Sequence, residues 1–174
     1  MSTAFDIAYE RTGLAEGGFT ADPNDRGNWT TGIIGQGQLK GTNHGISAMS
    51  FPNEDIRNLT VARAKELARE QFWDRAHCDE FRFAFSIQYF DAAYNHGPGN
   101  AVRFAQQASG AAVDGVFGPE TLRMCKAMDE NLLIMGFLSA RLTFMTNIST
   151  WSRYGKGWAR RVADNLKYAT QDGK

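Results

Sequence analysis

The apolar positions of this chain recur at helical spacing over most of its length. Ala4, Ile7, Ala8, Leu14 and Ala15 outline a first helix, with Thr3 suited to cap it and Asp6 placed in its first turn. Gly17 and Gly18 should stop it, which puts Glu16 in the last turn, where the helix dipole disfavours a carboxylate. From Gly17 to Pro52 the chain is rich in Gly, Asn, Thr and Asp and carries no period. This stretch reads as a long loop or small irregular β-hairpin, and a loop of that length in a compact domain is usually functional.

Helical pattern resumes at Thr60, an N-cap preceded by Leu59, with Ala64, Leu67, Ala68 and Phe72 on the buried face. Phe83, Ile87, Phe90 and Tyr94 carry the next helix to about Asn95. Asn100 is a cap for another, containing Val102, Phe104, Ala105 and Ala108. Asp114-Gly115 marks a turn, and Gly118-Pro119 starts a helix with proline at its first position. Leu132 to Ile148 is heavily apolar, and Trp158, Val162 and Leu166 pattern a last helix before a tail, Thr170–Lys174, expected to fray. The expectation is an all-α, mainly helical fold with a small irregular or β-hairpin region around residues 18–50.

Totals narrow the chemistry. The chain has 174 residues, 43% of them hydrophobic, enough for a sizeable core. A formal net charge of zero argues against nucleic acid as partner, although Arg153, Lys156, Arg160 and Arg161 suggest a local basic patch. Cys78 and Cys125 lack metal spacing and read as buried, reduced thiols. Without HExxH or an equivalent, the scattered His44, His77 and His96 predict no zinc site and no cofactor. No window reaches the length of a membrane span, and the N-terminus lacks the basic start and apolar run of an export signal.

Glu16-Gly17-Gly18-Phe19 and Asp25, nine residues after Glu16, supply two carboxylates near one loop. Glycosidic cleavage needs such a pair, one to protonate the leaving oxygen and one to manage water or the developing cation. Further segments accompany them in order: Gly27-Asn28-Trp29, Gly41-Thr42-Asn43-His44-Gly45-Ile46, Asp91-Ala-Ala-Tyr94-Asn95-His-Gly97-Pro98 and Gly155-Lys-Gly157-Trp158. As a set they resemble glycoside hydrolase family 108, the N-acetylmuramidases of phage and prophage lysis cassettes with a C-terminal peptidoglycan-binding region. The resemblance covers about Phe5 to Tyr168.

It implies a lysozyme-like helical fold, with residues 1–95 catalytic and residues 96–174 a wall-binding region, packed into one compact unit. Its EGG(Y/F) glutamate, the catalytic acid, matches Glu16. Many members carry a glutamate just before the threonine that Thr42 matches; Gly41 stands there instead. Thr31 completes a Glu-x8-Asp-x5-Thr spacing of phage-type lysozymes, so Thr42 and Thr31 compete as the threonine that holds water. Asp25 is either a stabilising carboxylate or a turn residue. Phe19, Trp29, Asn43, Tyr94 and Asn95 are candidates for sugar binding, each also open to a packing or capping reading. The implied partner is the glycan strand of peptidoglycan, acted on by a monomer with no stable membrane association. A phage endolysin would wait in the host cytoplasm for a membrane pore. A lytic transglycosylase and a non-catalytic wall-binding protein are the alternatives.

Overall fold

The structure, a computed structural model, describes residues 3–13 and 17–172. Among the described residues it holds seven α-helices and one two-stranded antiparallel sheet, so the mainly helical expectation is met. Packing divides the chain into two compact units, Met1–Gln71 and Phe72–Lys174.

In the first unit, α1 (Ala4–Arg11) opens on the expected cap. The Thr3 hydroxyl accepts from the Asp6 backbone N–H, and the Asp6 carboxylate accepts from the Thr3 N–H. The helix ends sooner than its apolar pattern suggests. Thr12 turns its hydroxyl back to the Tyr9 carbonyl at 2.7 Å, and Gly13 takes a left-handed conformation at φ 69°. Leu14, Ala15 and Glu16, expected in its last turn, lie outside the described residues. The loop region contains a hairpin of β1 (Thr42–Asn43) and β2 (Ile46–Ser47), in the register Thr42 to Ser47 and Asn43 to Ile46. Thr60 caps α2 (Val61–Ala68), accepting from the Arg63 N–H. This helix buries Ala64, Leu67 and Ala68 against β2. Phe72 is not its continuation, because the chain relaxes into a π-helical turn over Arg69–Asp74.

The second unit is a helical cluster: α3 (Phe83–His96), α4 (Pro98–Ser109), α5 (Pro119–Ala127), α6 (Glu130–Thr146) and α7 (Trp151–Asp172). α4 packs on α3, α5 and α6, and α6 also packs on α7. α3 is buried nearly all round, from Ala84 to Ala93, whereas Phe83, expected inside, is exposed. Asn100 is not the cap of α4. The helix starts two residues earlier, at Pro98, and the Asn100 side chain donates to the His96 carbonyl at the end of α3. Pro119 opens α5 as expected. Leu166 is exposed rather than part of the buried stripe of α7, and the helix continues to Asp172, so residues 170–172, expected to fray, are helical.

The least expected feature of this unit is ionic. Arg141 sits fully buried among the apolar residues of α6 and donates to Asp91 of α3. Arg161 and Asn165 of α7 donate to the same carboxylate. Arg161, read from sequence as part of a basic patch, therefore serves the interior. Burial alone would raise the Asp91 carboxyl pKa; the two guanidinium charges and the hydrogen bonds from Arg141 and Asn165 outweigh it and leave the pKa below the usual range.

His96 accepts from Arg141 Nε through its Nε2 at 3.1 Å, so it is more than a surface polar residue. Burial, then the Arg141 charge, push its pKa down to about 4. The unfolded chain would bind a proton there below about pH 6.5, and the folded chain would not. Stability is expected to fall as pH drops from about 6.5 to about 4, by about 2 kcal/mol after allowing for partial solvent contact. Urea titrations across that range should show the slope in the wild type and its loss in His96→Gln.

Candidate active site

The site residues of the first unit gather around Asn28. The Asp25 carboxylate caps a short 3-10 turn, Arg26–Asn28, accepting from the Gly27 N–H at 2.8 Å. The turn buries the Asn28 side chain completely. Its amide donates to the Asp22 carbonyl at 3.0 Å and its Oδ1 accepts from the Thr42 hydroxyl at 2.7 Å. The Asn28 backbone carbonyl also accepts from the N–H groups of Lys40 and Gly41, both at 3.0 Å. One buried asparagine thus fixes both ends of the segment that delivers Thr42.

The chain directly after Glu16 is tied to the same hairpin. The His44 N–H donates to the Gly17 carbonyl at 2.7 Å, and Thr20 and Thr42 exchange backbone hydrogen bonds at 2.9 and 2.8 Å. Residues 17–20 therefore run beside β1. Glu16 itself lies outside the described residues.

Gly41 has a defined reason to be glycine. Its φ is 88°, and a Cβ there would stand 2.8 Å from Phe19 Cε2 and closer still to the Thr20 carbonyl oxygen. The backbone has no room for a side chain at the position where many members of the resembled family carry glutamate.

The two threonines differ in setting. Thr42 is half-buried on Asn28. Thr31 is exposed and closes its own loop, donating to the Gln36 carbonyl at 2.8 Å and accepting from the Ile33 N–H. Trp29 anchors the loop through its indole N–H, which donates to the Pro23 carbonyl at 2.9 Å. Asn43 is buried and donates to the Arg57 carbonyl. Phe19 is 37% exposed, with the Arg57 guanidinium carbon 4.4 Å from its ring centroid.

Tyr94 and Asn95 belong to the second unit, near the end of α3. Tyr94 packs on Phe72 at a centroid distance of 4.7 Å. Asn95 is exposed, and its amide donates to the Asp91 carbonyl at 2.7 Å, which links it to the buried ion cluster. Asn28 and Arg57 are the site components to which periodicity and motif reading assigned no role, and Gly41 was read only as a missing glutamate. The signal for Asn28 was present: a polar residue between Gly27 and Trp29, inside one of the segments that carry the family resemblance. Among the described residues no cluster of histidine, cysteine and carboxylate side chains could hold a metal ion, and no helix is long and apolar enough to cross a membrane.

Within the first unit, a small hairpin braced by a buried asparagine holds Thr42 beside the segment that follows Glu16. The chain belongs to the glycosyl hydrolase 108 family, whose model matches residues 9–97; it is a glycoside hydrolase, and peptidoglycan as substrate is consistent with that membership. Among solved structures it is similar to SagA of Brucella abortus, with 27% sequence identity and a TM-score of 0.82, covering 98% of this chain and 95% of that one. No curated protein matches the sequence.

Proposed function

We propose that this glycoside hydrolase cleaves the β-1,4 bond between N-acetylmuramic acid and N-acetylglucosamine in peptidoglycan. The observation that carries this reading is the Thr42–Asn28 pair, held beside the segment that follows Glu16. Glu16 acts as general acid and protonates the leaving oxygen. A carboxyl doing this near neutral pH must keep its proton, which apolar or anionic surroundings favour. Thr42 donates to Asn28, so its oxygen lone pairs remain available to accept from a water or a sugar hydroxyl. That setting favours Thr42 over Thr31, whose hydroxyl is engaged within its own loop. Asp25, exposed at the rim of the same turn, supports positive charge developing on the sugar. Phe19 and Trp29 offer apolar faces to a sugar, and Tyr94 and Asn95 serve ring packing and acetamido hydrogen bonding.

The family resemblance supports a wider proposal. The enzyme acts as the endolysin of a phage or prophage, gathers in the host cytoplasm, and reaches the wall through a membrane pore; residues 96–174 contribute wall binding.

The test is digestion of outer-membrane-stripped Gram-negative sacculi by the wild type and Glu16→Gln. The wild type should lower turbidity and release fragments with new reducing ends by mass spectrometry. Glu16→Gln should lose on the order of 10²–10⁴ in rate, the usual contribution of a positioned acid. Undiminished lysis by the variant would remove Glu16 from the mechanism, and 1,6-anhydro ends would make the enzyme a transglycosylase.

A further inference from the structure

The first unit has a concavity next to the segment that leads into Thr42. It has a volume of about 390 Å³ and is lined by Leu39, Lys40, Asn53, Glu54, Asp55 and Arg57. Its charges are of both signs, and they are not all equal. Glu54 is paired with Arg63 at 2.7 Å, so its charge is already compensated. Asp55 accepts from Asn58 through side chain and backbone. These bonds, first the side chain and then the backbone, hold its carboxyl below the usual range. The Lys40 ammonium donates to the Pro52 carbonyl at 2.6 Å, which fixes its direction and leaves two of its three N–H groups for a ligand. Arg57 lies over the Phe19 ring, a stacking that leaves the donor edge of the guanidinium open. Two cations therefore face one carboxylate, Asp55, that makes no direct ion pair among the described residues.

We propose that this pocket binds the peptide stem of peptidoglycan, a zwitterionic acidic peptide with more carboxylates than ammonium groups. Lys40 and Arg57 read its carboxylates and Asp55 reads its ammonium. The proposal rests on the peptidoglycan reading given above and adds a specificity that the glycan alone does not supply. Lys40 precedes Thr42 by two residues, roughly 7 Å of extended backbone at most. A stem attached to a muramic acid held near Thr42 therefore needs only a short reach. The enzyme gains affinity for peptide-bearing glycan, and amidase-stripped strands become poorer substrates.

Two measurements test this. The first titrates N-acetyl-L-alanyl-γ-D-glutamyl-meso-diaminopimelate into the full chain carrying Glu16→Gln, by calorimetry. Saturable binding is expected, weakened about fivefold by Lys40→Gln and by Asp55→Asn and weakened again by raised salt. The second compares cleavage of peptide-bearing sacculi with cleavage of peptide-free glycan chains. Lys40→Gln should slow only the former, through KM. Absence of tripeptide binding, or binding that neither variant changes, overturns the proposal, as does equal slowing on both substrates. A wild-type enzyme that cut neither glycan would instead overturn the muramidase reading, while the titration would still report on the pocket.

Discussion

Replacing Asp91 with alanine is expected to destabilise the protein by about 3–5 kcal/mol, the cost of stranding a buried charge. That is a large part of the 5–15 kcal/mol typical of a folded domain. Asp91 is 5% exposed and Arg141 is fully buried. Without the carboxylate, Arg141 would keep its charge in the interior with the imidazole of His96 as its one acceptor among the described residues. Arg161 and Asn165 would lose the same partner, loosening α3, α6 and α7 together. Urea unfolding of Asp91→Ala checks this. The double variant Asp91→Ala/Arg141→Met should recover part of the loss, because the stranded cation goes too. If Asp91→Ala cost less than about 1 kcal/mol, the cluster would not be holding these helices.

Gly41→Ala should cost about 2–5 kcal/mol, combining a left-handed conformation forced on a residue with a Cβ and overpacking against Phe19 and Thr20. Gly41→Glu should be at least as unstable, and it should not raise activity even at a temperature where it stays folded. Thermal unfolding together with sacculus turbidity separates the two effects. An active, stable Gly41→Glu would show that the hairpin accepts a second carboxylate there. The structure instead leaves Gly41 no room for a side chain beside Phe19 and the Thr20 carbonyl, so a gain of chemistry at this position would be a loss of fold.

Local chemistry was the legible part of the sequence. Thr3, Thr60 and Pro119 start helices because capping and proline geometry are decided within four residues. The end of α1 was not legible, since a single threonine back-bond and a left-handed glycine outweighed apolar positions that continue to Ala15. Arg141 looked like an interruption in an apolar helix, because its partner lies fifty residues away on α3. Arg161 looked like surface charge for the same reason. In the candidate site the motif segments pointed to the right loop, but the role of Asn28 depends on hydrogen bonds spanning fourteen residues to Thr42. Gly41 could be read only as a missing glutamate; its backbone angle supplies the reason for the glycine.

Both cysteines are buried and unpaired. Burial raises the Cys78 thiol far above its ordinary pKa and raises that of Cys125 as well. The thiolate is the form that attacks oxidants and disulfides, so the folded chain offers almost none of it. The cysteines therefore give the fold no redox handle: it draws nothing from a disulfide, and a change from reducing to oxidising surroundings would leave both thiols as they are.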